Sequence, residues 1–303
     1  MKTFDFGKHT LYSDNDGLVY AVQPCEKMEI ETTVGRLVPI FQVEDHGRKK
    51  LTPIKLYKSG SIKSMSLQEA AVVDTSVGQI SIELITFYES GAMRRVFPLN
   101  GKLSGYWTET NEYKLAEALS IPTSVGTILV KPIYLQFYET GELQSISFWP
   151  VEKVTIETPA GKMRIKNGVS FFKSGSLASC EPDAPVLVET PLGTVEAHDP
   201  DPNGMMGESN SLSFTEQGKL AGLSTIKTVV NSVDGDHDWS FSPAVERSMC
   251  SDTAFTIRPL SIAFQNDFYF FRNGMKPRKA VSASASFSLA PFHTDKVLES
   301  VHC

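Results

Sequence analysis

Two glycine-containing turn motifs alternate strictly along this chain, and the alternation restricts the possible folds more than any other feature. The first motif is Thr-x-x-Gly, and it ends at Gly35, Gly78, Gly126, Gly161 and Gly193. The second is an aromatic residue followed by a short glycine turn, and it ends at Gly60, Gly91, Gly141, Gly175 and Gly218. Apolar and polar residues alternate on both sides of these turns, most clearly over 151–185. This pattern is typical of antiparallel β-strands joined by tight turns.

The spacing of the motifs predicts a repeat architecture. Most intervals from the first motif to the second are about 14 residues, and most intervals back to the first are about 19, which is the regularity expected of repeated structural units. We therefore predict an all-β fold, an elongated repeat of β-hairpins in units of about 33 residues. A single-chain β-solenoid is the alternative. The Ser-Gly and Asn-Gly pairs favour type I′-like turns, because glycine adopts a positive φ without a Cβ clash.

The regularity of the motifs divides the chain into three predicted parts. Residues 1–30 would form an N-terminal cap, 31–225 the β-repeat array, and 226–303 a divergent C-terminal repeat or cap with a long loop. Terminal repeats diverge in such proteins because an unpaired sheet edge has to be covered.

Three stretches interrupt the predicted array. Asn100-Gly101 lies in the middle of an interval of about twice the usual length, which predicts an inserted hairpin. The polar segments Gln42 to Pro53 and Ala197 to Ser209 lengthen two other intervals, and their glycine and proline content predicts projecting recognition loops.

Composition excludes several classes of protein. The 303 residues carry a net charge of -6, so no general attraction to nucleic acid is expected. No stretch approaches the roughly 18 to 20 apolar residues that span a bilayer, and the first residues lack a secretion-signal core, which predicts a cytoplasmic protein without integral membrane segments. The four cysteines are widely separated, so we expect reduced thiols rather than a zinc or redox motif.

The segment FYESGAMRRVFPLNGKLSGYW resembles the MORN-like repeat family, in particular its bacterial toxin–antitoxin-type variants with an Asn-Gly-Lys-x-x-Gly pattern. The full motif occurs once, at Asn100, Gly101, Lys102, Gly105 and Trp107. The resemblance covers about half of the chain and implies a sheet of successive hairpins that binds partners or lipid head groups without catalysis. The Thr-x-x-Gly turns and the longer repeat unit depart from that family's pattern.

Two polar clusters contain residue types that can bind metal ions. Asp234, Asp236 and Asp238 have the spacing that begins a calcium loop, but Trp239 stands where that loop requires glycine. His198 lies in an Asp-Pro-rich insert, and together with His237 it suggests a metal-dependent hydrolase as an alternative function. Solvated turns explain both clusters more simply, so we assign no metal, cofactor or catalytic residue.

Charge and aromatic residues lead to the functional prediction. Seven basic residues and two acids lie between Arg36 and Lys63, whereas 174–217 holds eight acids and no lysine or arginine, which makes the chain electrically bipolar. We predict a non-enzymatic protein-interaction or scaffold module with an extended β surface, a protein partner and a capacity for self-association. A peripheral membrane-surface binder is a further alternative. The predicted binding-surface residues are Arg48, Lys49, Lys50, Tyr88, Tyr138 and Phe172.

Overall fold

The computed structural model describes residues 8–42, 51–101, 103–200, 210–247, 255–274 and 277–293. Strands account for 59% of the described residues, which also contain one short helix, so the predicted all-β class is confirmed. Every strand pair in the described ranges is antiparallel, as a repeat of hairpins requires.

The chain forms two compact units. The first comprises Met1–Glu152 with Lys173–Gly175, and the second comprises Lys153–Phe172 with Ser176–Cys303. The division predicted at residues 30 and 225 stays a prediction.

The described residues of the first unit form twelve strands and one helix. They are β1 His9–Ser13, β2 Val19–Pro24, β3 Ile30–Thr32, β4 Gly35–Leu37, β5 Ile54–Leu56, β6 Ile62–Thr75, β7 Gly78–Phe87, β8 Met93–Phe97, α1 Glu109–Leu115, β9 Leu119–Thr123, β10 Gly126–Val130, β11 Pro132–Phe137 and β12 Leu143–Phe148. Eight of these strands form its main sheet in the order β1-β2-β5-β6-β7-β8-β11-β12. The Thr-x-x-Gly hairpins project from this order as what we call arms: β3–β4, the turn ends of β6 and β7, and β9–β10.

In the second unit, fifteen strands lie in the part of the chain that the structure describes. They are β13 Val154–Thr158, β14 Gly161–Phe171, β15 Leu177–Pro182, β16 Val186–Thr190, β17 Gly193–Ala197, β18 Leu212–Phe214, β19 Leu220–Thr225, β20 Thr228–Asp234, β21 His237–Phe241, β22 Ala244–Arg247, β23 Phe255–Arg258, β24 Leu260–Phe264, β25 Phe268–Asn273, β26 Lys279–Ser282 and β27 Ser286–Pro291. Its main sheet runs β14-β15-β18-β19-β24-β25-β26, with β13 paired to β14. Its arms are β13–β14 and β16–β17, and smaller sheets join β21-β20-β27 and β22–β23.

The Thr-x-x-Gly motif closes each arm by the same set of contacts. At the first arm, the Thr32 hydroxyl donates to the Gly35 carbonyl at 2.6 Å and accepts from the Val34 amide at 3.2 Å. The threonine-to-glycine bond recurs at Thr75, Thr123, Thr158 and Thr190 with distances of 2.6 to 2.7 Å. The motif is therefore explained by a side-chain lock on a two-residue turn.

The aromatic turns differ from the predicted type I′ geometry. At the first of them, the Gly60 amide donates to the Tyr57 carbonyl at 2.9 Å and the Tyr57 amide donates to the Ser61 carbonyl at 2.8 Å. Gly60 has φ of +83°, but Ser59 does not have a positive φ, because Asn167 is the one such non-glycine residue in the described ranges. A type I′ turn needs two residues at positive φ, so the chain instead uses a three-residue loop that needs only the glycine.

A one-residue bulge follows each of these turns in the main sheet. Between the pairs Thr86↔Arg95 and Phe87↔Met93, for example, Arg94 is the extra residue. The corresponding extra residues in the other hairpins are Tyr20, Lys63, Gln144, Ala178 and Ala221. A bulge changes the direction in which its side chain points, so side chains at these positions do not follow the ordinary alternation of a strand.

One face of each main sheet is apolar and buried. Cross-strand neighbours form a buried row in the first unit: Val22, Ile54, Met65, Ile85, Val96, Leu135 and Ile146. The second unit repeats the row with Val169, Cys180, Leu212, Leu223, Ile262 and Phe271. The arms bury one side of their strands in the same way, and β4 contacts β6 while β17 contacts β19. Each core therefore lies between a main sheet and its arms.

The predicted inserted hairpin at Asn100-Gly101 is wrong. The described residues between β8 and α1 form no strand, and the segment continues into the helix. Thr108 caps α1 through a reciprocal bond with Asn111, and the buried carboxylate of Glu112 accepts from the Trp107 indole at 2.6 Å. A turn dipeptide is not sufficient for a hairpin, since local capping and a buried carboxylate stabilise the alternative.

Arm tips reach main-sheet turns that lie much later in the chain. The Thr33 hydroxyl donates to the Gly91 carbonyl at 2.7 Å, and the Ser124 hydroxyl donates to the Gly175 carbonyl at 2.6 Å. Pro159 lies against Gly218 in the corresponding position of the second unit. In each case the arm passes over one intervening aromatic turn to contact the next.

The length and hydrophobicity of a helix determine whether it can span a membrane. In the ranges that the structure covers, no helix is both long and apolar enough to cross a bilayer.

Candidate functional site

A cation lies over the tyrosine ring of each of three consecutive aromatic turns of the first unit, and the third cation comes from the turn of the following aromatic hairpin. Lys63 Nζ lies 5.6 Å from the ring centroid of Tyr57, and Arg94 Cζ lies 5.5 Å from that of Tyr88. Lys173 Nζ lies 5.5 Å from the ring centroid of Tyr138. All three distances are within the range of cation–π attraction. We call these six residues the tyrosine–cation row.

Alternation along the strands explains why these tyrosines are not in the core. In the Phe-Tyr pairs, Phe87 and Phe137 are buried among the core residues. The next residue of a strand points to the opposite face, which places Tyr88 and Tyr138 on the polar side of the sheet. Both tyrosines are half-buried rather than covered.

The phenol groups hold the rings in place. The Tyr57 hydroxyl donates to the Phe87 carbonyl at 2.8 Å, and the Tyr88 hydroxyl donates to the Phe137 carbonyl at 2.9 Å. Each ring is thereby tied to the following hairpin of the same sheet. Tyrosine serves here where phenylalanine would not, because the bond needs the hydroxyl.

Next to the row, the polar face of the main sheet carries a side-chain network. Arg95 Nε donates to Gln136 Oε1, and Gln136 Nε2 donates to Gln144 Oε1 at 2.8 Å. The Thr86 hydroxyl accepts from the Arg95 amide at 3.0 Å. The network keeps long polar side chains in fixed positions across β7, β8, β11 and β12.

The cations of the row form no close ion pair in the described ranges, although the Thr140 hydroxyl and, more weakly, Lys173 lower the pKa of the Glu142 carboxyl. Within the described ranges, no carboxylate oxygen lies within 4.0 Å of Lys63, Arg94 or Lys173. The nearby Lys55 on β5 is exposed and likewise has no such ion pair in the described ranges. Arg94 Nε is buried and has no acceptor there. Positive charge therefore remains available on this face.

Cations on two of the arms form ion pairs, unlike Lys63 and Arg94 in the described ranges. Arg36 Nε lies 3.0 Å from Glu31 across the first arm, and Lys162 Nζ lies 3.7 Å from Glu157 across the β13–β14 arm. These pairs occupy the same position beside the Thr-x-x-Gly turn. These two arms therefore pair their cations with acids across the hairpin, whereas Lys63 and Arg94 form no such ion pair in the described ranges.

The predicted binding residues are distributed unevenly with respect to this row. Tyr88 and Tyr138 belong to it, whereas Phe172 lies half-buried in the second unit. Arg48, Lys49 and Lys50 lie outside the described residues. The predicted recognition loops also fall largely outside, at 43–50 and 201–209.

Sequence reasoning missed Lys63 and Arg94 as partners of the tyrosines. Each follows its tyrosine by six residues, which is a visible signal because Tyr57 and Tyr88 stand at equivalent places in the repeat. Lys173 gave no such signal, since it comes from the turn of a later hairpin.

The second unit has neutral residues at the equivalent positions. The bulges after its turns carry Ala178 and Ala221, where the first unit has Lys63 and Arg94. Hydroxyl groups occupy the neighbouring sheet positions, and Ser170 bonds Ser179 at 2.6 Å. The bulges after the aromatic turns of the second unit therefore lack the cations of Lys63 and Arg94. Its cation–aromatic contacts lie elsewhere, with Arg278 Cζ 5.4 Å from the ring centroid of Phe270 and Lys279 Nζ 3.8 Å from that of Trp239.

The second unit also buries one carboxyl group. Glu181 is fully buried; its Oε2 accepts from the Ser211 amide at 2.7 Å, and its Oε1 has no partner in the described ranges. Burial raises the pKa of Glu181 to about 7, although the Ser211 bonds and Lys166 act in the opposite direction. Nothing in the sequence pattern marked Glu181, because it occupies an ordinary strand position of β15.

His198, the residue after β17, is linked to the Ser211 segment by backbone hydrogen bonds. Its amide donates to the Ser224 carbonyl at 2.9 Å, and the Ser224 amide in turn donates to the Ser211 carbonyl at 2.8 Å. Burial and Lys166 lower the pKa of the His198 imidazole, against a weaker raising effect of Asp199. A lowered pKa keeps the ring neutral, but the described residues bring no set of metal ligands around it.

The Asp234 cluster forms a turn. Asp234 pairs with His237 at the end of β20 and β21, Gly235 has φ of +62°, and Asp238 pairs with Val233 on the next rung of the ladder. Within the described ranges, no group of three or more histidine, cysteine or acidic side chains is arranged to hold a metal ion. The His237 ring instead contacts the Trp239 ring at 6.2 Å.

The acidic run of 174–217 contributes less negative charge to the surface than its composition predicts. Asp183 Oδ1 lies 2.7 Å from Lys153 Nζ, and its Oδ2 lies 3.4 Å from Arg164 Nε. The carboxyl group of Glu181 is buried with a raised pKa. Two of its acids therefore contribute little free negative charge to the surface.

Comparisons of the chain with protein-family models, with curated proteins and with solved structures find no match.

Proposed function

We propose that this protein is a non-catalytic interaction module that docks a protein partner on the polar face of the main sheet of its first unit. The observation that supports this most is the tyrosine–cation row, with three tyrosines and three cations on consecutive turns. Tyrosine and arginine are the residue types that contribute most at protein interfaces. The resemblance of the aromatic turns to MORN-like repeats agrees with a binding role.

Rigidity of the surface favours binding over a purely structural role. The Tyr57 and Tyr88 hydroxyls are already bonded to the following hairpin, and the cations already lie over the rings. A partner therefore loses little further conformational entropy on this side when it docks. The unpaired charge would also attract an acidic partner before contact.

Photo-crosslinking in the native cell tests this proposal. A photoreactive phenylalanine derivative is placed at Lys55, which is exposed beside the row, and in a separate sample at Thr127, which is exposed on the β9–β10 arm. We expect a discrete protein adduct from position 55 and none from position 127. Changing both Lys63 and Arg94 to Ser should abolish the adduct.

Equal adducts from both positions, or an adduct that persists in the double variant, would contradict the proposal. The matched control is Lys162→Ser, which removes a cation from an ion-paired position on the β13–β14 arm. It should leave the adduct unchanged.

A further inference from the structure

The tyrosine–cation row has a spacing that specifies more than a general protein partner. We propose that it binds a polyproline II segment that carries a carboxylate at every third residue. This inference rests on the proposed function and identifies the chemistry of its partner.

The spacing follows from the order of the strands. Tyr57, Tyr88 and Tyr138 follow β5, β7 and β11, and each of these strands is two positions from the next in the sheet. Neighbouring strands lie about 4.8 Å apart, so the row repeats at about 10 Å perpendicular to the strands. A ligand that contacts every pair must present matching groups at that interval.

Few extended ligands have this repeat. A polyproline II helix has three residues per turn and rises about 3.1 Å per residue, so every third side chain returns to the same face after about 9 Å. An extended β-strand returns a side chain to one face after about 7 Å, which does not match the row. The geometry therefore favours the polyproline II conformation.

Charge specifies the side chains of the ligand. Lys63, Arg94 and Lys173 lie over aromatic rings and have no carboxylate within 4.0 Å in the described part of the chain. A carboxylate at each third position would give each cation one partner. Between the acids, proline rings would contact the exposed edges of the tyrosines, as in other aromatic surfaces that bind this conformation.

The test uses three peptides of about twelve residues with the same composition of glutamate and proline. In one the acids stand at every third position, in the second at alternate positions, and in the third they are consecutive. Binding to the full chain is measured by fluorescence anisotropy at low and at physiological salt. We expect the first peptide to bind at least about tenfold more tightly than the other two, since several pairs form only in register.

Variants of the row sharpen the measurement. Lys63→Ser and Arg94→Ser should each weaken binding of the first peptide by about fivefold, the loss of one ion pair in a partly covered site. Lys63→Arg should retain it. Lys162→Ser, on the arm, should leave all three affinities unchanged.

Three outcomes would overturn the inference. If the three peptides bind equally, the row responds to charge without spacing. If none binds while the crosslink from position 55 still depends on Lys63 and Arg94, this inference fails and the proposed function stands. If vesicles of phosphatidylserine or a single-stranded oligonucleotide bind more tightly than the first peptide, the partner has a different chemistry.

Discussion

The two units share a buried face and differ on the opposite one. Both have a row of apolar side chains across the main sheet, with Ile85 and Val96 in the first unit and Val169 and Cys180 in the second. On the polar face, the first unit places Lys63 and Arg94 over tyrosine rings, whereas the second has alanine at the same bulges. Turn and core residues therefore determine the fold, because the residues of the polar face differ between the units without changing it.

The strongest test of the shared core is removal of a phenylalanine before a turn. Phe137→Ala in the first unit and Phe171→Ala in the second should each lower the free energy of unfolding by about 3 to 5 kcal/mol, because both rings are buried and the cavity is only partly refilled. Urea titration followed by circular dichroism measures the loss. A cost below about 1 kcal/mol in either unit would show that the two cores are not equivalent.

The buried carboxyl of the second unit predicts that the stability of the protein depends on pH. Folding raises the pKa of Glu181 from 4.5 to about 7, so the folded state binds this proton more tightly than the unfolded chain does. Its contribution is complete below pH 4.5 and is lost as the pH rises through 7, which amounts to about 3 kcal/mol. Glu181→Gln should remove that loss, as measured by urea titrations at several pH values.

His198 provides the control of opposite sign. Its lowered pKa contributes stability that is present above pH 6.5 and is lost as the pH falls through the folded value. His198→Asn should therefore remove a loss on the acid side. If the stability difference between Glu181→Gln and the unchanged protein stayed constant from pH 4.5 to 7, the buried carboxyl would not be the source of the pH dependence.

The turn glycines should have similar effects in both units. Gly141 and Gly161 have φ of +101° and +103°, and no atom would contact an added Cβ within 4 Å. Changing either to Ala should cost about 1 to 3 kcal/mol through backbone strain alone. Gly105→Ala is the control, since Gly105 has no such φ and equally open surroundings, and its melting temperature should not fall.

The smallest expected effect on stability is that of the tyrosine–cation row itself. Changing Lys63 and Arg94 together to Ser should lower the free energy of unfolding by about 1 kcal/mol or less, because each pair is a partly exposed cation–π contact. Calorimetry of the double variant measures this. A loss above about 3 kcal/mol would show that the tyrosine–cation row stabilises the fold, and the difference between the polar faces of the two units would then be structural.

The hairpin fold could be predicted because its signals are local. Thr-x-x-Gly turns, the aromatic turns and period-two alternation each depend on a few neighbouring residues, and the turns are present in the structure at Thr75, Gly78 and Gly91. The error at Asn100-Gly101 arose where a local signal competed with contacts that the sequence does not display. Glu112 binds the Gly101 amide at 3.1 Å from eleven residues away, which no turn rule takes into account.

The candidate site was only half predictable for a related reason. Tyr88 and Tyr138 stand out as repeated aromatics, but which face each residue of a Phe-Tyr pair takes depends on strand register. The bulge that brings Arg94 over Tyr88 adds one residue to a strand without changing its composition. Lys173 meets Tyr138 from 35 residues away in sequence, which period and spacing do not reveal.

The reach of the arm tips has a consequence for the order in which this chain acquires its structure. Thr33 bonds a carbonyl 58 residues later, and Ser124 bonds one 51 residues later. During synthesis each arm therefore leaves the ribosome well before its acceptor residue does. One complete hairpin is synthesised between the arm and the turn that it contacts. Folding cooperativity then extends beyond adjacent hairpins. In a chain truncated from its C-terminal side, the last arms would lack their acceptors, so the structure that precedes the truncation point should become less stable.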